Sequence, residues 1–247
     1  MSFDYHAVAG DYQYRALNSG HPMQRFWHRG KLTMIDQLIR PYLKEGSRIL
    51  EIGCGSGNML VRAGVRGSFP VGLDLSMQAL TFVRSRLNEA EDKRDGIKGF
   101  ACIQSIGETL PLSTGSFDCV IVSEVIEHLD APQASMEEAS RVLRPGGRLL
   151  VTTPNYRSLW PLLEWAVDRM NMAPKMAGEQ HISKFHPAGL RDLINSSGLQ
   201  VSYSGTIYAL SPFMSLVSPK WATRILMKEL DRRSTLGMIL VAVGMRR

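Results

Sequence analysis

The most constraining feature of the chain is a set of glycines at alternate positions, Gly53, Gly55 and Gly57, placed directly behind a short apolar segment, Arg48 to Gly53. Glycines so spaced let a chain turn tightly and bring its backbone against a ligand where a Cβ would collide. From Ser47 onward short apolar runs alternate with helical patterns, the signature of stacked strand–helix–strand units and a parallel sheet. Strands are expected at 48–53, 70–75, 100–106, 117–123 and 148–153, the fifth entered through the turn Pro145-Gly146-Gly147. Amphipathic helices are expected at 77–90 and 134–143, and Ser76 is placed to cap the first of them.

After Pro154 the pattern changes. A Trp/Met-rich stretch is followed by a helix expected at 187–197, a strand at 199–205, a second long segment at 207–235 and a last strand at 236–245. Two insertions of that size are not expected to be structureless, so 156–183 and 207–235 are expected to carry helices over the open edge of the site. Residues 1–46 are expected to form an N-terminal helical cap. With 247 residues, 44% hydrophobic and 21% charged, the chain reads as one globular domain over 1–247.

The chemistry starts at Glu51-Ile-Gly-Cys-Gly-Ser-Gly57. It has no Lys-Ser/Thr of a phosphate-binding loop, and its spacing differs from the Gly-x-Gly-x-x-Gly of dinucleotide folds. Those loops offer a helix N-terminus to a pyrophosphate, which the carboxylate of Glu51 would repel. A carboxylate suits S-adenosylmethionine, which has no phosphate but carries a sulfonium cation and an amino group. Asp74 ends the second strand, 23 residues after Glu51, close to the spacing at which an acidic residue accepts ribose hydroxyls. An aspartate at a helix start is the alternative there.

Together, 51–57, Asp74, the run Ser116 to Leu129 and the run Arg141 to Val151 resemble the class I S-adenosylmethionine-dependent methyltransferases over about residues 47–155. The resemblance implies an α/β, Rossmann-like seven-stranded sheet of order 3-2-1-4-5-7-6, its last strand antiparallel. It implies that Glu51, Gly53, Gly55, Gly57 and Ser123 sit at the cofactor, that Asp74 holds ribose, and that Leu75, Ile106 and Gly107 border adenine. Many relatives have an aspartate where Ile106 stands, and Glu108 is the nearby replacement. The run His181-Ile-Ser-Lys-Phe-His-Pro resembles the ubiquinone-biosynthesis O-methyltransferases. Trp27-His28-Arg29 lies outside that resemblance.

Glu124, Glu127 and His128 follow the fourth strand, at the carboxyl edge where sites of open α/β sheets lie. His128 is expected to act as general base with Glu127 beside it, and His181 is the alternative. The matching Glu-x-x-Glu-His of the ubiquinone-pathway enzymes implies a divalent cation; Glu127-His128-Leu129 also occurs in such folds as a plain helix start, and the metal-free reading is favoured. The acceptor expected is a hydrophobic or amphipathic phenol or quinol methylated on oxygen, with C- or N-methylation of a lipid or other metabolite as the alternative.

The net charge of +6 favours anionic partners and selects none. Dispersed basic residues and the absence of a base-methylation motif make nucleic acid a poor candidate. Cys54, Cys102 and Cys119 form no Cys-x-x-Cys pair. With no basic-then-apolar leader and no spanning run, a cytoplasmic protein is expected. Leu159, Leu162, Leu163, Ala166, Val167 and Met170 recur at helical spacing, with Trp160 and Trp165 flanking them, and Trp221, Ile225 and Leu226 sit beside Arg224, Lys228 and Arg232 at intervals of four. Core packing and peripheral contact with the inner membrane surface both explain these patterns.

Overall fold

The computed structural model of the chain describes residues 9–19, 21–93, 97–169 and 180–247. Strands β1 (Arg48–Ile52), β2 (Phe69–Asp74), β3 (Ala101–Gln104), β4 (Phe117–Ser123), β5 (Leu143–Pro154), β6 (Leu199–Ile207) and β7 (Ile239–Arg246) form one sheet in the order β3-β2-β1-β4-β5-β7-β6. The pairs from β3 to β5 are parallel, and β7 is antiparallel to both β5 and β6. This is the expected order.

Both faces of the sheet are buried, so its strands read as continuous apolar runs. On one face Ile49, Ile121, Leu150 and Val241 pack with Met34, Ile35 and Ile39 of α2 (Pro22–Ile39) and with Ala222 and Leu226 of α9 (Pro219–Asp231). On the other, Leu50, Val120, Val122 and Val151 pack with Met136 and Ala139 of α5 (Pro132–Val142) and Leu190 and Ile194 of α7 (Pro187–Ser196). The remaining helices are α1 (Tyr12–Ser19), α3 (Asn58–Gly64), α4 (Met77–Asp92), α6 (Trp160–Arg169) and α8 (Ser211–Met214). Ser76 caps α4 by accepting the Ala79 N–H at 3.3 Å.

Two local readings change. Pro145-Gly146-Gly147 does not precede β5 but lies inside it, as a bulge where the β4 partners jump from Leu143 to Arg148. In α6 the apolar positions divide: Trp160 is buried and Leu163 half-buried, whereas Leu159, Leu162 and Trp165 point outward. Met170 and the Val167 side chain lie outside the described residues. Both insertions do contain helices.

The second insertion is anchored by one side chain. Glu229 of α9 is buried and accepts the N–H groups of Tyr208, Leu210 and Ser211 and the Ser211 hydroxyl, at 2.8 to 3.1 Å. Glu229→Ala leaves those donors buried without an acceptor, and is expected to cost roughly 3 kcal/mol or more, read from a urea unfolding midpoint. An unchanged midpoint would show that these bonds carry no stability.

Candidate functional site

The glycine turn closes over the carboxyl ends of β1 and β2. Gly53 and Cys54 donate their N–H groups to Leu73 O at 2.8 and 3.1 Å, which bends the chain back over β2. Gly53, with φ of +68°, packs under the Val125 side chain, and a Cβ there would collide with it. Asp74 is engaged on both oxygens: Oδ2 accepts the Gly55 N–H at 2.8 Å and Oδ1 the Ser76 N–H at 2.9 Å. It therefore ties the glycine turn to the start of α4, and a carboxylate's further lone pairs remain for ribose hydroxyls. Glu51 is buried, and its Oε2 has no hydrogen-bond partner. Burial, reinforced by the Asp74 charge and opposed by Lys31, pushes its pKa up to about 8.

Leu75 and Ile106, which follow β2 and β3, are exposed apolar side chains, and Gln104 Nε2 donates to Leu75 O at 3.0 Å. Gly107 is buried against Ile52 and Ser135, and Glu108 is half-buried beside it. The two exposed side chains make an apolar shelf at the carboxyl ends of β2 and β3.

An open cleft runs from Glu51, Gly53 and Ser123 to Gln13 of α1 and His28 and Lys31 of α2. Lys31 is buried, and its Nζ lies 2.6 Å from Glu124 Oε2. Glu124 takes a left-handed backbone (φ +55°), rare for a residue with a Cβ, and its Oε1 is buried without a partner. Burial would raise the Glu124 pKa, but the pairing with Lys31 holds it below the usual carboxylate value. His28 is pushed down to about 4 by burial and then by the Lys31 charge.

Behind Glu124 the chain makes a short turn, 126–128, that presents Glu127 and His128. Glu127 accepts the Thr153 hydroxyl at 2.9 Å, and burial followed by the Glu124 charge pushes its pKa up to about 8. Its carbonyl receives the N–H groups of Ile182 and Ser183, which brings His181 back to the turn. The rings of His128 and His181 stand 5.1 Å apart. His128 is pushed down to about 4 by burial, so its neutral ring donates Nδ1–H to Gln180 O at 2.8 Å and keeps its lone pair on Nε2. His181 Nδ1 lies 2.5 Å from Glu164 Oε1, which also accepts the Tyr156 hydroxyl at 2.8 Å.

Glu127, His128 and His181 thus place three ligand atoms within 4.8 Å of one another. Two imidazoles whose Nδ1 atoms are tied to a carbonyl and a carboxylate, with one carboxylate beside them, match the outer support that metal-binding histidines have. The donor set fits a divalent cation.

A family model described as a methyltransferase domain matches residues 20–204. The chain belongs to the methyltransferase-domain family. It carries an S-adenosylmethionine-dependent methyltransferase domain. It is similar to the ubiquinone biosynthesis O-methyltransferase of Dechloromonas aromatica, 30% identical over 58% of this chain and 55% of that protein. The mitochondrial ubiquinone biosynthesis O-methyltransferase of Rattus norvegicus is 30% identical over 68% of this chain and 48% of its own length. The chain therefore spans about half the length of these curated relatives. In fold it is similar to the magnesium protoporphyrin IX methyltransferase of Synechocystis, solved with bound SAH, with a TM-score of 0.66 and 14% identity over 99% of this chain and 97% of that one.

Within the domain, Glu51, Gly53 and Ser123 meet at the cleft, Gly55 and Asp74 bond each other, and Glu127, His128 and His181 converge beyond Glu124. Leu75, Ile106 and Gly107 lie apart from the cleft, on the apolar shelf. Sequence reasoning missed Gln13, His28, Lys31, Tyr156 and Glu164. Lys31 had a signal, since it interrupts the buried stripe Phe26, Gly30, Met34, Ile35 of α2. Glu164 sits one turn after Trp160, on the buried side of α6.

The shifted groups give the protein without ligand a specific pH response. Folded Glu51 and Glu127 keep protons that the unfolded chain releases near pH 4.5, so they lose stability as pH rises from there to about 8. His28 and His128 stay neutral down to about 4 while the unfolded chain takes up protons below 6.5, so they lose stability as pH falls through that window. The pairs offset each other between about 4.5 and 6.5. Above 6.5 the carboxyls act alone, each with a slope on the order of 1 kcal/mol per pH unit. The Tm without ligand is expected to fall between pH 6.5 and 8, and a rising Tm would show that these carboxyls are already ionised.

A cationic ligand beside Glu51 draws off its proton. S-adenosylmethionine binding at pH 7 is expected to release a proton, read by calorimetry in two buffers of different ionisation enthalpy. Glu51→Gln should remove that release and weaken binding by about 10-fold or more. Equal release by the variant would assign the proton to another group.

Proposed function

We propose that the domain methylates the oxygen of a hydrophobic or amphipathic phenol or quinol, with His181 taking the hydroxyl proton. The observation that carries this reading is the paired imidazoles at the carboxyl edge, 5.1 Å apart, with Glu164 directly behind one of them. The curated relatives, named as ubiquinone biosynthesis O-methyltransferases, support the same acceptor class. In this reading residues 1–247 act as one domain, and the 1–46, 156–183 and 207–235 segments cover the acceptor.

S-adenosylmethionine supplies an electrophilic methyl carbon on a charged sulfur. Glu51 meets the cationic end of that ligand, Gly53 and Gly55 let the backbone approach it, Asp74 meets ribose, and Leu75, Ile106 and Gly107 border adenine. The methyl displacement needs the acceptor oxygen in line and its proton removed. His128 is poorly matched to that proton. With its pKa near 4 and a phenol's near 10, direct transfer is uphill by on the order of 8 kcal/mol. His181 is better placed, because a carboxylate on Nδ1 fixes the ring and balances the charge it takes up. His128 and Glu127 then position the acceptor hydroxyl.

A second reading rests on the convergence of Glu127, His128 and His181. A divalent cation held there would acidify the acceptor hydroxyl and remove the mismatch at His128.

Turnover on an acceptor taken from a lipid extract, followed by transfer of labelled methyl, tests both. His181→Ala is expected to lower kcat by about 10²- to 10⁴-fold with cofactor affinity near wild type. Without a cation, EDTA leaves the rate unchanged and His128→Ala costs less than His181→Ala. With a cation, EDTA abolishes activity, and Glu127→Ala, His128→Ala and His181→Ala give the same loss. Full turnover by both histidine variants would overturn the reading, and label on carbon or nitrogen would replace O-methylation.

A further inference from the structure

The second insertion presents a surface that the chemistry of methyl transfer leaves unused. Leu210, Phe213, Leu216, Val217 and Trp221 are all exposed, Val217 by 81%. They fall on α8, the turn after it and the start of α9. The segment is built rather than loose: Glu229 holds its base through four hydrogen bonds, and Ser218 caps α9 by accepting the Trp221 N–H. An apolar cluster of this size on a fixed support marks an interaction surface.

Charge identifies the occupant. From Ala209 to Lys228 the sequence holds Lys220, Arg224 and Lys228 and no acidic residue. The three basic side chains are exposed and recur at intervals of four, one stripe along α9, with Arg224 over the Trp221 ring at 5.1 Å. Exposed Phe, Leu, Val and Trp beside a basic stripe form the pattern of an element seated at an anionic lipid interface. A second copy of the chain fits poorly, because an isologous contact would bring the two basic stripes together.

Topology fixes the direction. β5 and β6 are both antiparallel to β7, so they are parallel to each other and end at the same edge of the sheet. The exposed Leu159, Leu162 and Trp165 of the first insertion leave from the end of β5, and α8 leaves from the end of β6. That edge also carries the glycine turn, Glu124 and the histidine pair.

We propose that the segment 210–228 docks the protein on an anionic membrane surface with the carboxyl edge of the sheet, and so the site, facing the lipid. The functional meaning of this docking rests on the reading of a hydrophobic acceptor, which would be drawn from the bilayer.

The test is sedimentation of the full chain with phosphatidylcholine vesicles, neat or with about a quarter phosphatidylglycerol. Wild type is expected to pellet with the anionic vesicles and to be released by salt. The variant K220Q/R224Q/K228Q should bind on the order of a hundredfold more weakly, about fivefold for each charge removed. Leu216→Asp with Val217→Asp should abolish binding at unchanged Tm, since both side chains are exposed. Wild type remaining in the supernatant with both vesicles, or aspartate variants that bind as wild type does, would overturn the proposal. So would a wild-type dimer, without vesicles, that the aspartates convert to monomer, which assigns the surface to a second copy. Turnover on an alkylphenol dispersed in neutral detergent, without vesicles, separates this from the reading of the site. Vesicle binding without methylation of that phenol defeats the acceptor class alone, and methylation without vesicle binding defeats the docking alone.

Discussion

Lys31 is the single lysine or arginine among the buried side chains of the described residues, and it stands among Glu51, Glu124 and Glu127. Its Nζ lies 2.6 Å from Glu124 Oε2. Removing one partner of a buried ion pair leaves an uncompensated charge and commonly costs several kcal/mol. The pair therefore couples two things distant in sequence: the docking of α2 onto the sheet, and the left-handed turn at Glu124 that lays Val125 over Gly53. Gln13 of α1 and His28 and Lys31 of α2 line the cleft, where the Lys31 charge is met by Glu124.

One ammonium cannot satisfy three carboxylates. Lys31 holds Glu124 ionised, while Glu51 and Glu127 are pushed up to about 8 by burial and by neighbouring carboxylate charge. Both raised groups feel the Lys31 charge, and each borders a place where a cationic species would be welcome. At Glu51 the donors and the glycine turn suit a sulfonium-bearing amino acid; at Glu127 the two imidazoles suit a metal ion. Three buried carboxyl groups around one ammonium thus give one electrostatic account of both positions, without separate assumptions for each.

Much of the sheet was legible because its strands are short apolar runs punctuated by Gly, Pro and a capping serine, signals that act locally. The order of the strands came from the resemblance carried by 51–57, Asp74 and 116–129, not from periodicity. Burial in α6 was not legible. Its apolar residues surround the helix, so their spacing alone could not say that Trp160 faces the core and Trp165 the solvent. The bulge at Pro145-Gly146-Gly147 was missed because a turn and a bulge use the same residues. At the site, Glu51, Asp74 and the Glu127-His128 pair were legible from motif position. Glu164 and Tyr156 were not, because their value lies in a contact with His181 that only the fold creates.

That contact changes which imidazole does what. Read from the sequence, His128 sits closest to the fourth strand and is the natural base at an unperturbed pKa. Folded, it is buried against Gln180 and its pKa falls to about 4, which leaves a neutral ring with its lone pair on Nε2. Burial therefore turns the residue with the clearer sequence signal into a ligand-like acceptor, while the histidine from the insertion gains the carboxylate. The insertion after β5 returns through 180–183 to the carbonyl of Glu127, and this return is what brings His181, with Glu164 on its Nδ1, beside the His128 ring.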